Sequence, residues 1–139
     1  MSLEDRLAVQ ELNFLYAYHI DSFRIDEWVG VFTQDAFFDE SEFGNGHFKG
    51  HEEIRAYGLQ LADTVLHVVH LMNNQLIFDL EPTFARGTVF SLCEAMMKTG
   101  ERTRHQVKYE DEYIKIGGSW KIAKRVLRSS FPVELVSSV

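Results

Sequence analysis

Moving a proton near neutral pH calls for a side chain that titrates there, and an imidazole held by a carboxylate meets that need. The stretch LHVVHLMNNQLIF, residues 66–78, offers an imidazole in an apolar setting. Asp79, Glu81 and Pro82 close the run, and it reads as a strand. Alternation then places Leu66, Val68, His70, Met72, Asn74, Leu76 and Phe78 on one face, so an otherwise apolar face carries a histidine and an amide. His67 falls on the opposite, mixed face. A buried polar group without a partner costs about 1–3 kcal/mol, so His70 needs one. Asp21 is the partner the sequence offers, because it ends an apolar helical stripe with Leu7, Phe14 and Tyr18. A carboxylate beside an imidazole fixes its tautomer, raises its basicity and balances the imidazolium formed on proton uptake. Arg125, alternating with Ala123 and Leu127 near the C-terminus, would add a fixed positive charge for a developing anion. Each has a plainer reading: a core histidine bonded to a backbone carbonyl, a carboxylate capping SFRIDEW, and a surface cation.

The elements that would position these groups follow from the patterning. Residues 2–21 read as a helix opened by a capping box at Ser2 and Asp5, and NFLYAYHI is apolar on nearly all sides, as in an enclosed helix. A short helix fits RIDEWVGVF, a strand DAFFDE, a turn-rich connection EFGNGHFKG, and a third helix HEEIRAYGLQLADTV. Three long strands follow at 66–80, 83–99 and 101–116, and IGGSW makes a hairpin into a last strand, 120–129. Helices first and an antiparallel meander afterwards define an α+β fold in one domain, 1–139, with the sheet curled around the helices. One face of strand 83–99 is mostly small: Ala85, Gly87, Val89, Ser91, Cys93, Ala95 and Met97. Small inner side chains leave room for a ligand pocket. Phe14, Tyr18, Phe38, Asn74, Val89, Ser91 and His105 are its expected lining.

Composition narrows the classes. A net charge of −7 without a basic stripe argues against a nucleic-acid partner. No apolar run reaches a membrane-spanning length and no secretory leader is read. The single cysteine, Cys93, makes a reducing cytoplasm the default compartment. Neither zinc, nucleotide nor serine-nucleophile motifs occur, and His67 and His70 diverge on a strand, so no metal or cofactor is expected. Alternating charges at Arg104, Gln106, Lys108, Glu110 and Glu112 suggest an outer sheet face suited to a homo-oligomer, a dimer or trimer.

From LEDRLAVQELNFLYAYHID to SWKIAKRV the chain resembles a SnoaL-like protein of the nuclear transport factor 2-like superfamily. That resemblance implies a cone-shaped α+β barrel: three N-terminal helices enclosed by a strongly curved, mixed and mostly antiparallel sheet, with a pocket at the open end. The best motif matches are to scytalone dehydratase and hexachlorocyclohexane dehydrochlorinase, whose aspartate and histidine match Asp21 in YHID and His70 in HLMNN. The dehydrochlorinase's arginine matches Arg125, five residues after Trp120, whereas its lysine is matched by Tyr16. Ile20 and Phe38 stand where the dehydratase carries tyrosines. The resemblance implies a cofactor-independent lyase or isomerase, dehydratase-like, acting on a small apolar, cyclic molecule by Asp/His general-base catalysis. The alternative is a non-catalytic binding or assembly module resembling the small subunits of ring-hydroxylating dioxygenases.

Overall fold

A computed structural model describes residues 2–136. Helix α1 (Leu3–Asp21) starts where expected, with the Ser2 hydroxyl accepting the Asp5 N–H at 3.1 Å. The Asp5 carboxylate in turn accepts Trp120 Nε1 at 2.8 Å and Lys115 Nζ at 3.0 Å, fastening the helix start to the final hairpin. The bond from Trp120, with those from Lys115 and Ser2, holds this carboxyl well below its ordinary range. Helix α2 (Ile25–Val29), strand β1 (Phe32–Asp39), a 3₁₀ turn (Ser41–Phe43), strand β2 (His47–Lys49) and helix α3 (Gly50–Thr64) follow. The meander is β3 (Val65–Leu80), β4 (Phe84–Met97), β5 (Arg102–Ile116) and β6 (Ser119–Ser129), and a short β7 (Glu134–Val136) adds to β5.

The seven strands form one mixed sheet, six of them in the order β2-β1-β6-β5-β4-β3 and β7 paired to β5 off this path. All neighbours are antiparallel except β1 and β6. The sheet is not closed, and β2 and β3 are its edges. The α+β cone expected from the sequence is the architecture observed. Its centre is an aromatic cluster in which Tyr16, Trp28, Phe32 and Phe38 meet with ring centroids 5.4–6.5 Å apart.

Two expectations fail for identifiable reasons. The buried stripe of α1 is Val9, Leu12, Asn13, Tyr16, Ala17 and Ile20, not Leu7, Phe14 and Tyr18, which face outward. An all-round apolar helix has no unique phase, and here the stripe with polar atoms went inside because it has buried partners there. The second failure is register. A bulge between Met72 and Gln75 sets Asn73 and Asn74 against a single residue of β4 and reverses the alternation. Val68, His70 and Met72 point inward as expected, and beyond the bulge Gln75 and Ile77 replace Asn74, Leu76 and Phe78 on the inner face. Asn74, Leu76 and Phe78 are exposed.

At Gly87 the two strands approach so closely that a Cβ would sit 2.2 Å from the Leu76 carbonyl oxygen. Backbone cannot retreat as a flexible side chain does, so Gly87→Ala should destabilise by about 1–3 kcal/mol in urea melts. Phe14→Ser, on the bare side of α1, should stay within about 0.5 kcal/mol.

Candidate active site

Asp21 is the last residue of α1, and the turn behind it fixes where its side chain goes. Phe23 takes the left-handed conformation (φ 55°), and the Phe23 and Arg24 amides return to the Ile20 and His19 carbonyls at 3.0 and 2.8 Å. The helix therefore stops against the middle of β3. Because β3 is an edge strand, the His70 N–H has no ladder partner and donates instead to Asp21 Oδ2 at 2.8 Å. The other oxygen, Oδ1, meets His70 Nδ1 at 2.6 Å. Both carboxylate oxygens thus grip one residue, through its main chain and its ring. This leaves Nε2 as the nitrogen able to exchange a proton with another molecule.

Burial opposes a charge on His70, but Cys93, Tyr109 and the Asp21 carboxylate outweigh it and raise the imidazole's proton affinity well above its ordinary value. His70, Cys93 and His105 stand in register across β3, β4 and β5 and form one wall of a cavity of about 550 Å³. That volume suits a small-molecule ligand. The His105 ring packs edge-on to Phe43 at 5.3 Å, and burial first, then the neighbouring His70, lowers its pKa. Phe23, Leu61, Val68, Val107 and Leu127 make the cavity largely apolar, while Glu40, Tyr57, Gln60 and Thr103 add polar groups.

The structure brings together Asp21, His70 and His105 from the sequence-derived set and disperses the others. Phe14 and Tyr18 are 49% and 59% exposed on the outer side of α1. Asn74 lies outside because of the bulge. Phe38 belongs to the aromatic centre, and Val89 and Ser91 are buried on the inner face of β4 beyond the cavity wall, which uses Cys93, Ala95 and Met97.

Arg125 requires a correction of role. It is fully buried and takes no part in the cavity wall. Its Nε and Nη2 donate to Asp111 Oδ1 and Oδ2 at 2.9 and 2.8 Å, Nη2 also donates to Asn13 Oδ1, and the guanidinium lies between the Tyr16 and Tyr109 rings, 4.4 Å from each centroid. Tyr113 donates to Asp111 at 2.5 Å, and Asn13 Nδ2 donates to Tyr113 and Gln75 at 3.1 and 2.7 Å. Nη1 is buried without a hydrogen-bond partner among the described residues, but the guanidinium is ion-paired and stands apart from the cavity wall, so this cation serves the interior, not a developing anion. Sequence reasoning also missed Glu40 and Tyr57. For Glu40 a signal existed, since it lies two residues beyond Phe38 in DAFFDE and so continues an inward-facing strand face.

The SnoaL-like domain family matches residues 1–126, and the chain belongs to that family, within the nuclear transport factor 2-like superfamily. Among solved structures, a candidate aromatic ring hydroxylase of Novosphingobium aromaticivorans is 27% identical, with a TM-score of 0.93 over 98% of this chain and 96% of that one. A candidate scytalone dehydratase of the same organism is 19% identical, with a TM-score of 0.87 over 99% of this chain and 91% of its own. Hexachlorocyclohexane dehydrochlorinase of Novosphingobium barchaimii is also 19% identical, with a TM-score of 0.85 over 99% and 93%. At those identities the last two show a shared fold.

Removing one member of the Arg125–Asp111 pair strands a buried charge. Asp111→Asn should therefore cost about 3–5 kcal/mol in chemical denaturation.

Proposed function

We propose that the chain is a cofactor-independent lyase or isomerase acting on a small apolar, cyclic molecule, with His70 as the general base and Asp21 as the group that orients and charge-balances it. The observation that carries this reading is the grip of both Asp21 oxygens on His70, at 2.6 and 2.8 Å, beside an open cavity of about 550 Å³. A carboxylate on Nδ1 keeps a proton there, so Nε2 presents its lone pair once the ring is neutral. Abstraction of a proton next to a carbonyl or leaving group starts eliminations and double-bond shifts alike. A positioned base of this kind contributes about 10²–10⁴-fold. The dehydratase and dehydrochlorinase that share the fold bear names of eliminations, which accords with the reading. With Arg125 enclosed, the donors left to meet a developing anion are the polar groups of the wall, Tyr57 and Thr103 among them.

A binding or assembly module is the second reading, favoured by apolar surface left bare. Leu7, Phe14 and Tyr18 on α1 and Val69, Leu71 and Phe78 on β3 are all exposed. On the charged face first favoured for assembly, two of the charges are paired within the chain, Arg104 with Glu94 and Glu134, Glu110 with Arg128. If these apolar faces join copies, light scattering at micromolar concentration should give a dimer or trimer mass, and a monomer mass would remove that assignment.

His70→Ala and Asp21→Asn separate the two readings. As a base, His70 is indispensable: its alanine variant should fold and lose turnover of any substrate found among cyclic enones, hydroxy-ketones and halogenated rings. Asp21→Asn should reduce turnover severely by releasing the ring. A purely structural His70 would instead show a loss of about 1–3 kcal/mol in stability with ligand binding or turnover intact.

A further inference from the structure

The turn after β1 delivers a second titratable group to the same cavity. Glu40 is fixed at three main-chain points: its N–H donates to the Gly46 carbonyl at 2.8 Å, and its own carbonyl accepts the Phe43 and Asn45 amides at 3.0 and 3.2 Å. Its side chain lines the cavity that His70 lines. Oε2 is buried and has no hydrogen-bond partner among the described residues. A carboxyl kept only to hold the turn would have its oxygens satisfied, since an orphaned buried polar atom is costly. A carboxyl that lines a ligand-sized space and keeps one oxygen unpaired is the arrangement expected of a group that meets a ligand.

We propose that Glu40 is the general acid of this site, protonating the leaving hydroxyl of a cyclic β-hydroxy carbonyl compound while His70 removes the proton from the carbon between the two groups. This rests on the reading of His70 as the base. His70 Nε2 takes the α-proton, the α,β double bond forms, the C–O bond breaks, and the oxygen departs with the Glu40 proton as water. The site ends with an imidazolium and a carboxylate, and proton return from His70 to Glu40 resets it.

The electrostatics agree with this assignment. Burial pushes the Glu40 carboxyl up to about 7, and Tyr57, His70 and Asn45 offset only part of that rise. The charged or titratable groups facing it are Tyr57 of α3, His70 of β3, Tyr16 of α1 and the adjacent Asp39. A carboxylic acid that keeps its proton near neutrality is what a hydroxyl leaving group requires, whereas a halide leaves without protonation. The sign for stability follows. The folded carboxyl binds its proton more tightly than the unfolded one, so its contribution is present below about 4.5 and is lost as pH rises through about 7.

The test compares β-hydroxycyclohexanone with β-chlorocyclohexanone. Glu40→Gln should lower water elimination by about 10²-fold or more. Its loss on the hydroxyl compound should exceed that on the chloride by about tenfold or more, because only the hydroxyl needs a proton to leave. His70→Ala should abolish both reactions. Equal losses on the two probes in Glu40→Gln would overturn the acid role and leave the base reading standing. Carbon NMR of the wild-type Glu40 carboxyl judges the proposal without turnover. Titration near 7, moving upward in His70→Ala as a neighbouring positive charge is lost, supports it, and titration in the ordinary carboxylate range overturns it.

Discussion

A guanidinium with no access to water must be neutralised from within, and much of this fold is arranged around that requirement at Arg125. Asp111 supplies the charge, Asn13 an amide oxygen, and Tyr16 and Tyr109 the two ring faces. Asn13 and Tyr16 both sit on α1, so satisfying Arg125 selects which side of an almost uniformly apolar helix turns inward. Once that side is chosen, Ala17 and Ile20 follow it into the core, and Asp21 emerges at the helix end one turn beyond Ala17. The interior polar network therefore sets the rotation of the helix that aims the Asp21 carboxylate. Arg125 bears on the position of Asp21 by orienting α1, from outside the cavity wall.

The second constraint is the unpaired edge of the sheet. A terminal strand leaves alternate main-chain groups without ladder partners, which is ordinarily a liability. At His70 this vacancy becomes a handle. The carboxylate that satisfies the edge N–H also holds the imidazole, so ring and backbone are fixed by one side chain. Because the sheet stays open, the cavity lies beside this edge between α1, α3 and the strands. Small residues on the later part of β4, Cys93 and Ala95, give it its depth.

These relations explain how far the sequence could be read. The α+β order, the long strands, the small inner face of β4 and the Asp21–His70 pairing were legible, because alternation and capping depend on neighbouring residues. The phase of α1 was not, since Leu7, Phe14 and Tyr18 are as apolar as the residues that were buried. What decided it was a contact between Asn13 and Arg125, 112 residues apart. Asn74 was misplaced because a bulge is an insertion against the partner strand, and nothing within β3 alone reveals it. Arg125 was read as a charge for a developing anion or as a surface cation, and its burial against Asp111 was not read, because Asp111 lies on another strand whose register shifts beside it. The 3₁₀ turn and β2, which place Glu40, were read only as a turn-rich connection.

Everything at this site follows from Asp21 holding His70 with a proton on Nδ1 and raising its basicity. Nitrogen NMR of the imidazole through a pH titration tests this directly, in the wild type and in Asp21→Asn. The wild-type ring should titrate above the ordinary value of 6.5, with Nδ1 protonated in the neutral form, and the variant should titrate lower. A ring with the same titration and tautomer in both proteins would contradict it.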